Sequence, residues 1–353
     1  MPDLTEPWNL GPLRIPNRVA LAPLAGIGNW FVRLQAHRHG AGLMVSEMVS
    51  SFGVHHGNER TCRELLRIHP DERRDGGVVS MQLFGSDPDV MRSAAERVAL
   101  AGADVIDLNM GCPVPKVCKT GAGAALLREP QLAVAVARAA AEGSGLPVTV
   151  KLRSGQRPGE TDGAELAERL VADAGVAAIG FHPRSAAVQH RGQPDYALAA
   201  RVVARLPVPV ILTGGLSDAP AVRAAYEATG ATAVMLARGA LGNPWLFAEL
   251  LSDRRDPPSR AEVLSELDWV CDRAVEHLGD ERAGRYLRKF YPWYLHRMGL
   301  ERAMLKRIQA DLQRVPTLAA ARGRLAALAA EPAASADAFA HAVNPSRSVP
   351  KAA

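Results

Sequence analysis

Cysteine is scarce in this chain. Four occur in 353 residues: Cys62, Cys112, Cys118 and Cys271. None forms a C-x-x-C pair, so neither a zinc ribbon nor an iron–sulfur site is supported, and no metal is expected. A disulfide scaffold does not suit a chain of this size in a reducing compartment. Cys62 and Cys271 are expected as free thiols in or near the core. Long apolar runs are also missing. No window reaches the roughly 18 consecutive apolar residues that a membrane span needs. The opening "MPDLTEPWNLGPLRIPNR" lacks the apolar centre of a secretory signal, so a cytoplasmic protein is expected, as a monomer and away from membranes. No G-x-G-x-x-G follows an early strand, which argues against a Rossmann-type dinucleotide site.

What the chain does have is alternation. It is 48% hydrophobic and 22% charged, ordinary for a globular enzyme. Eight short apolar runs recur: "VALAP" (19–23), "LMVSEM" (43–48), "VVSMQL" (78–83), "VIDLNM" (105–110), "PVTVKL" (147–152), "AAIGFH" (177–182), "VPVILTG" (208–214) and "TAVMLA" (232–237). Most are too continuous for half-exposed strands and read as strands buried on both faces of a parallel sheet. Between them lie stretches with helical spacing, such as 87–103, 130–143, 163–175 and 219–230. Asp87 and Asp218 are expected N-caps; Gly102, Gly143, Gly175 and Gly230 are expected at the C-terminal ends. Strand then helix, eight times over, predicts an α/β fold of the (β/α)8 TIM-barrel type, with a doubly wound sheet as the runner-up. After "NPWLF" (243–247) only helical patterns follow. The expected domains are a barrel over 1–245, a small helical domain over 246–330 entered through the linker 255–260, and a disordered Ala/Ser/Pro-rich tail over 331–353.

Charge is uneven. The whole chain carries a formal +5. From Arg273 to Arg314 ten Lys and Arg face five Asp and Glu, an excess that equals the whole-chain value. Such a patch suits a polyanionic partner, or a solvated helix face.

In a barrel of this type the strands' C-terminal ends form the active-site face. Read in order, those ends carry Pro23-Leu24-Ala25, Ser46-Glu47-Met48, Gln82, Asn109 with Cys112, Lys151 with Arg153, His182 with Arg184, Thr213-Gly214-Gly215, and Ala237-Arg238. Each has an ordinary structural reading alone. Together they bring amide, ammonium, imidazole and guanidinium groups to one rim. The glycines after the seventh strand and Arg238 after the eighth suit a phosphate. A mononucleotide cofactor with one phosphate fits, with Lys151 and Gln82 facing a planar ring; a cation there would stabilise an anionic reduced flavin.

The motifs "PLAGI", "SEM", "MQLFGSDP", "DLNMGCPVPKVCKTGAGAALL", "VKLRSG", "TGGLSD", "ARGALGNPW" and "RYLRKFYPWYL" resemble those of the tRNA-dihydrouridine synthases, most closely the bacterial branch. The resemblance implies FMN in the barrel, NADPH as reductant and uridine in tRNA as substrate. It implies that Pro23, Leu24 and Ala25 line the flavin. Gln82 and Lys151 would bond its pyrimidine edge, and His182 would stand near ring or phosphate. Thr213, Gly214, Gly215, Ala237 and Arg238 would lie at the cofactor. Asn109, Arg184 and Arg153 would face the target base. Cys112 would give the proton at uracil C5 while reduced FMN gives the hydride at C6; a thiol with a pKa of about 8.5 is mostly protonated at neutral pH, as a donor must be. Lys116 and Lys119 would close over the base. Arg285, Arg288 and Lys289, with Tyr291, Trp293 and Tyr294 nearby, would hold RNA, although the aromatics also suit a domain core. Three positions depart from the family pattern: Thr213 for an Asn, Pro183 for a Gly, and His190 for a Tyr. Two rival readings are a flavin barrel acting on a free pyrimidine and a non-catalytic RNA-binding barrel.

Overall fold

Eight parallel strands close on themselves. The structure, a computed structural model, describes residues 2–252 and 256–330. The barrel strands are β1 (Val19–Leu21), β2 (Leu43–Val45), β3 (Val78–Phe84), β4 (Val105–Met110), β5 (Val148–Arg153), β6 (Ala178–His182), β7 (Val210–Thr213) and β8 (Ala233–Leu236). Closure is visible in the register. Met235 of β8 lies opposite Ala20 of β1, and Met44 of β2 lies opposite Val79 of β3. A doubly wound sheet would leave two edges, so the ring decides for the barrel.

Side chains alternate along a strand, so residues paired in register share a face. Gln82 lies opposite Asp107, Asp107 opposite Thr149, Asn109 opposite Lys151, and Arg153 opposite His182. One polar band therefore runs across four adjacent strands on the inner face. Below it the interior is apolar. An antiparallel hairpin, Trp8–Leu10 with Leu13–Ile15, packs Trp8, Leu10 and Ile15 against Ala20, Leu43, Val78, Val105, Ile211 and Ala233. These include the first inward residues of several strands, so the hairpin plugs the N-terminal end. Burying a side chain of Leu or Ile size contributes about 1.5–3 kcal/mol. The sequence reading had not anticipated this hairpin.

The helices pack outside the ring. Asp87 caps the helix Pro88–Leu100 by accepting from the Asp89 and Val90 N–H groups, and Asp218 caps Ala219–Thr229 through the Ala221 N–H. Gly175 and Gly230 end their helices in the left-handed conformation, as expected. Gly143 does not. The helix Pro130–Ser144 runs through it and ends at Gly145. A Cβ on Gly143 would sit 2.1 Å from the backbone oxygen of Arg92, so this glycine lets two helices touch rather than ending one. Between β2 and β3 the chain is anchored by a buried ion pair: Arg33 Nε donates to Glu72 Oε2 at 2.7 Å, and the His69 N–H also donates to Glu72.

The described residues divide into two compact units, one of 2–240 with 246–252 and one of 241–245 with 256–330. The expected boundary at 245/246 thus falls inside the helix Trp245–Leu251. In the second unit, Ser259 and Glu262 form a capping box at the head of the helix Arg260–Leu278. Further helices are Asp280–Leu287, Tyr291–Leu295, Arg302–Arg314 and Leu318–Ala327. Val270, Cys271, Leu287, Tyr291 and Tyr294 are buried in this unit, and burial pushes the Cys271 thiol up to about 12. All four cysteines are free thiols. The start of the expected linker and the tail 331–353 lie outside the described residues. Among the described residues no helix is long and apolar enough to cross a membrane.

Candidate active site

Asp107 interrupts an apolar run, and alternation turns it inward together with Asn109. Its carboxylate accepts from Gln82 Nε2 and from Thr149 Oγ1, each at 2.5 Å. Burial raises its pKa from 3.8 to about 6, opposed by those two hydrogen bonds and by Lys151. An ionised carboxylate only accepts. The Gln82 amide must therefore present its NH2 to Asp107. Its Oε1 is left to accept from Asn109 Nδ2 at 2.8 Å. Asn109 Oδ1 in turn accepts from the Cys112 N–H at 2.9 Å and from the Gly111 N–H at 3.3 Å. One charge in the barrel thus orients two amides and, through them, the backbone at Cys112.

Cys112 follows β4 directly. Its carbonyl accepts from the Ala124 N–H at 3.0 Å and from Cys118 Sγ at 3.3 Å. The thiol is half-buried, and burial raises its pKa above 9.0. The Val114 backbone, Arg153 and Lys151 pull down; Cys118 pushes up. Near neutrality Cys112 is a protonated thiol.

Positive charge gathers beside it. Lys151 is half-buried and makes no hydrogen bond or ion pair among the described residues. Burial and Arg153 lower its pKa from 10.5 to about 8, against Asp107 and Cys112. Arg153 is buried: Nε donates to the Gly111 carbonyl at 2.8 Å, and Nη1 donates to Ser185 and Gln189 carbonyls at 3.1 and 2.7 Å. Burial lowers it to about 10. Arg184 donates twice to the Gly192 carbonyl, at 3.2 and 2.8 Å, and its Nη1 lies 3.2 Å from His182 Nε2. A guanidinium only donates, so His182 Nε2 accepts. Burial, followed by Lys151, Arg153, Arg184 and His190, holds the imidazole well below 6.5 and neutral. Arg238 is exposed and unpaired among the described residues. Only Asp107 brings a carboxylate to bear on Lys151, and none bears on Arg153 or Arg184. Among the described residues, one carboxylate thus stands against four cations, Lys151, Arg153, Arg184 and Arg238, and the cluster keeps an excess of positive charge.

The remaining candidates sit around this rim. Pro23, Leu24 and Ala25 form the turn after β1, where the Leu24 carbonyl accepts from the Ile27 and Gly28 N–H groups. Glu47 fixes the same turn by accepting from the Gly26 N–H at 2.7 Å. Thr213 is buried at the end of β7. Gly214, at φ +100°, passes so close to His182 that a Cβ would stand 2.4 Å from the ring. Gly215 follows, and Tyr196 Oη donates to the Gly214 carbonyl at 3.0 Å. Ala237 and Arg238 lead out of β8 into a short turn. Lys116 and Lys119 are exposed on and just after the single turn Pro115–Cys118.

In the helical unit, Arg285 donates to Glu281 at 2.7 Å, and Arg288 donates to the Val315 carbonyl at 3.2 Å. The Lys289 ammonium lies 4.4 Å from the Tyr286 ring centroid. Lys306 and Arg307 are exposed. Tyr291 and Tyr294 are each 1% exposed and belong to the core, so they cannot stack on a base; Trp293 is half-buried against Phe290.

Sequence reasoning missed Asp107 and Thr149. The signal was present. Asp107 is two residues before Asn109, and Thr149 two before Lys151, so each shares its neighbour's inward face.

These observations define a class: a closed (β/α)8 barrel whose C-terminal mouth holds a protonated thiol among cations in excess of anions, an enzyme's architecture. Residues 20–326 match the family model described as dihydrouridine synthase. A tRNA-dihydrouridine synthase B of Pseudomonas aeruginosa is 35% identical over 294 residues, covering 81% of this chain and 86% of that protein. The chain belongs to the dihydrouridine synthase family and is an oxidoreductase. Among solved structures, morphinone reductase shares the barrel with a TM-score of 0.54 at 18% identity, over 73% of this chain and 92% of that one. The 6-hydroxypseudooxynicotine amine oxidase from Pseudomonas geniculata N1 shares it with a TM-score of 0.57 at 16% identity, over 71% of this chain but only 50% of that longer one.

Proposed function

We propose that this enzyme reduces uridines in tRNA to dihydrouridine, with bound FMN as the redox group and NADPH as the reductant. The observation that carries the reading is a cluster of four cations with Asp107 as the one carboxylate acting on it among the described residues, set beside a thiol held protonated. Such a mouth suits a phosphorylated cofactor and a polyanionic substrate. The residues fit FMN. The unpaired Arg238 and the backbone around Gly214 and Gly215 would hold a phosphate, and Lys151 would face the electron-rich edge of the ring. When bound, FMN supplies the hydride for the pyrimidine C6.

The chain's own residues supply the rest. Cys112 holds a proton at Sγ and gives it to C5, the carbon that gains charge as the 5,6 double bond is reduced. Its raised pKa keeps that proton in place. Asn109 and Gln82 orient the loop that presents the thiol. Lys151, as a cation, stabilises negative charge in the mouth. The target base must leave its stack, at a cost of a few kcal/mol. Contacts from Lys116, Lys119 and the exposed cations of the helical unit, Arg285, Lys289, Lys306 and Arg307, offset this by neutralising phosphates. Arg288 is half-buried on a backbone carbonyl and is assigned to structure instead.

The test is direct. Purified protein should be yellow and should form dihydrouridine in tRNA with NADPH. Cys112→Ala should keep its flavin and lose most product; full turnover in that variant would remove Cys112 from the reaction. A reaction on free uracil as fast as on tRNA would favour a free-base enzyme.

A further inference from the structure

His190 is not explained by the site described so far. It lies on the loop after β6, in a segment drawn down by two buried arginines. Arg153 donates to the Gln189 carbonyl at 2.7 Å, and Arg184 donates to the Gly192 carbonyl at 2.8 Å. Gln189 itself is forced to φ +55°, an uncommon conformation for a residue with a Cβ. Two guanidiniums and a strained residue thus hold one short stretch of loop, and His190 is at its centre. The imidazole lies nearly parallel to that of His182, 5.9 Å between centroids and 21° between planes. The residue is exposed, and neither ring nitrogen makes a hydrogen bond among the described residues. Loss of solvent around part of the ring, then Arg238, Arg153, Lys151 and Arg184, lower its pKa to about 4, so the ring is neutral.

The chemistry of the surrounding groups gives this ring a role. A uracil presents two carbonyl acceptors and one N3–H donor. Lys151, Arg153, Arg184 and Arg238 can only donate. They suit the carbonyls and the phosphates, and none can receive N3–H. The side-chain acceptors nearby are engaged or shut off from solvent: Asn109 Oδ1 is taken by two backbone N–H groups, Gln82 Oε1 by Asn109, the Asp107 carboxylate by Gln82 and Thr149, and His182 Nε2 by Arg184, while Ser185 Oγ has no partner but is fully buried. A neutral imidazole has one lone pair, and that of His190 is open. Gln82 and Asn109 lie within the strand ends, where a resident cofactor belongs; His190 is exposed, where a base arriving from solvent meets the protein first.

We propose that His190 is the acceptor for N3–H of the target uracil, and that Arg153 and Arg184 act as positioning residues by holding its loop. This rests on the reading of the enzyme as a tRNA uridine reductase. It makes His190 a specificity-determining group against uracil blocked at N3, which leaves the lone pair unmatched; cytosine, whose N3 is an acceptor, meets the ring's N–H in the other tautomer and is not rejected this way.

The experiment measures kcat and KM for dihydrouridine formation on a tRNA transcript, and on the same transcript carrying 3-methyluridine at the reduced position. Flavin content is recorded in each protein. His190→Ala and His190→Phe should keep their flavin. Each should lose on the order of tenfold to a hundredfold in kcat/KM on the unmodified transcript. The preference of the wild type for uridine over 3-methyluridine should shrink in both. His190→Asn, which restores an acceptor, should recover most of the loss. Arg184→Met combined with His190→Ala should cost little more than either alone, because both act through one ring. Wild-type kinetics in His190→Ala, or loss of flavin from His190→Phe, would overturn the assignment. Wild-type protein that forms no dihydrouridine would instead defeat the reading of function on which it rests.

Discussion

Asp107→Asn separates stability from activity in a way the buried network makes calculable. The carboxylate's pKa is raised from 3.8 to about 6. A shift of about two units corresponds to about 3 kcal/mol against the native state at neutral pH. The sign follows from proton binding. Between those two values the folded protein holds a proton that the unfolded chain has released, so the penalty is absent below pH 4 and complete once pH has risen through 6. Asn removes it. The amide, however, offers one acceptor and one donor where the carboxylate offered two acceptors. Either Thr149 or Gln82 then meets an N–H, at a cost of about 1–3 kcal/mol. At pH 7.5 the two effects nearly cancel, and chemical denaturation should find the variant within about 2 kcal/mol of wild type. At pH 4.5 only about a third of the first effect is left, about 1 kcal/mol, so the second weighs more and the variant should be the less stable protein. Activity should not be spared. If Gln82 turns, Asn109 must turn with it, and the Cys112 N–H then faces an NH2 group. Lys151 also loses the negative charge that holds its pKa up. We expect kcat/KM for dihydrouridine formation to fall about tenfold to a hundredfold, with weaker flavin retention. Unchanged activity, or a stability loss that is larger at pH 7.5 than at pH 4.5, would refute the reasoning.

Two further outcomes follow from local geometry. Gly143→Ala should lower stability by about 1–3 kcal/mol, since its Cβ would fall 2.1 Å from the Arg92 oxygen and the two helices must part; a melting temperature equal to wild type would show that the helices yield freely. Flavin retention should be level from pH 6 to 7.5 and weaken as pH rises through about 8, where Lys151 loses its charge, while Lys151→Arg should stay level; gel filtration followed by absorbance near 450 nm measures both, and a level wild-type profile to pH 9.5 would exclude Lys151 as the cofactor's cation.

The strand-helix rhythm was legible because burial on both faces leaves continuous apolar runs, and the expected bounds of "VIDLNM" match β4 residue for residue. The candidates at the strand ends were legible for a related reason: in a parallel barrel all C-terminal ends share one rim. Gly143 misled because a glycine at a helix's end and a glycine at a helix crossing look alike in sequence. The hairpin Trp8–Leu10 with Leu13–Ile15 was missed because its strands are only three residues long and owe their order to the barrel floor beneath which they pack. Tyr291 and Tyr294 looked equally suited to RNA or to a core, and only packing could choose.

The sequence by itself determined which chemical groups this protein owns and, through strand period two and strand order, which end of the barrel receives them. Tertiary structure alone decided their states. Whether Asp107 is a solvated acid or a buried hub, whether His182 is charged, and whether His190 keeps a free lone pair depend on desolvation and on neighbours several dozen residues away in the chain. Those quantities are set by distance in space, which local pattern does not encode.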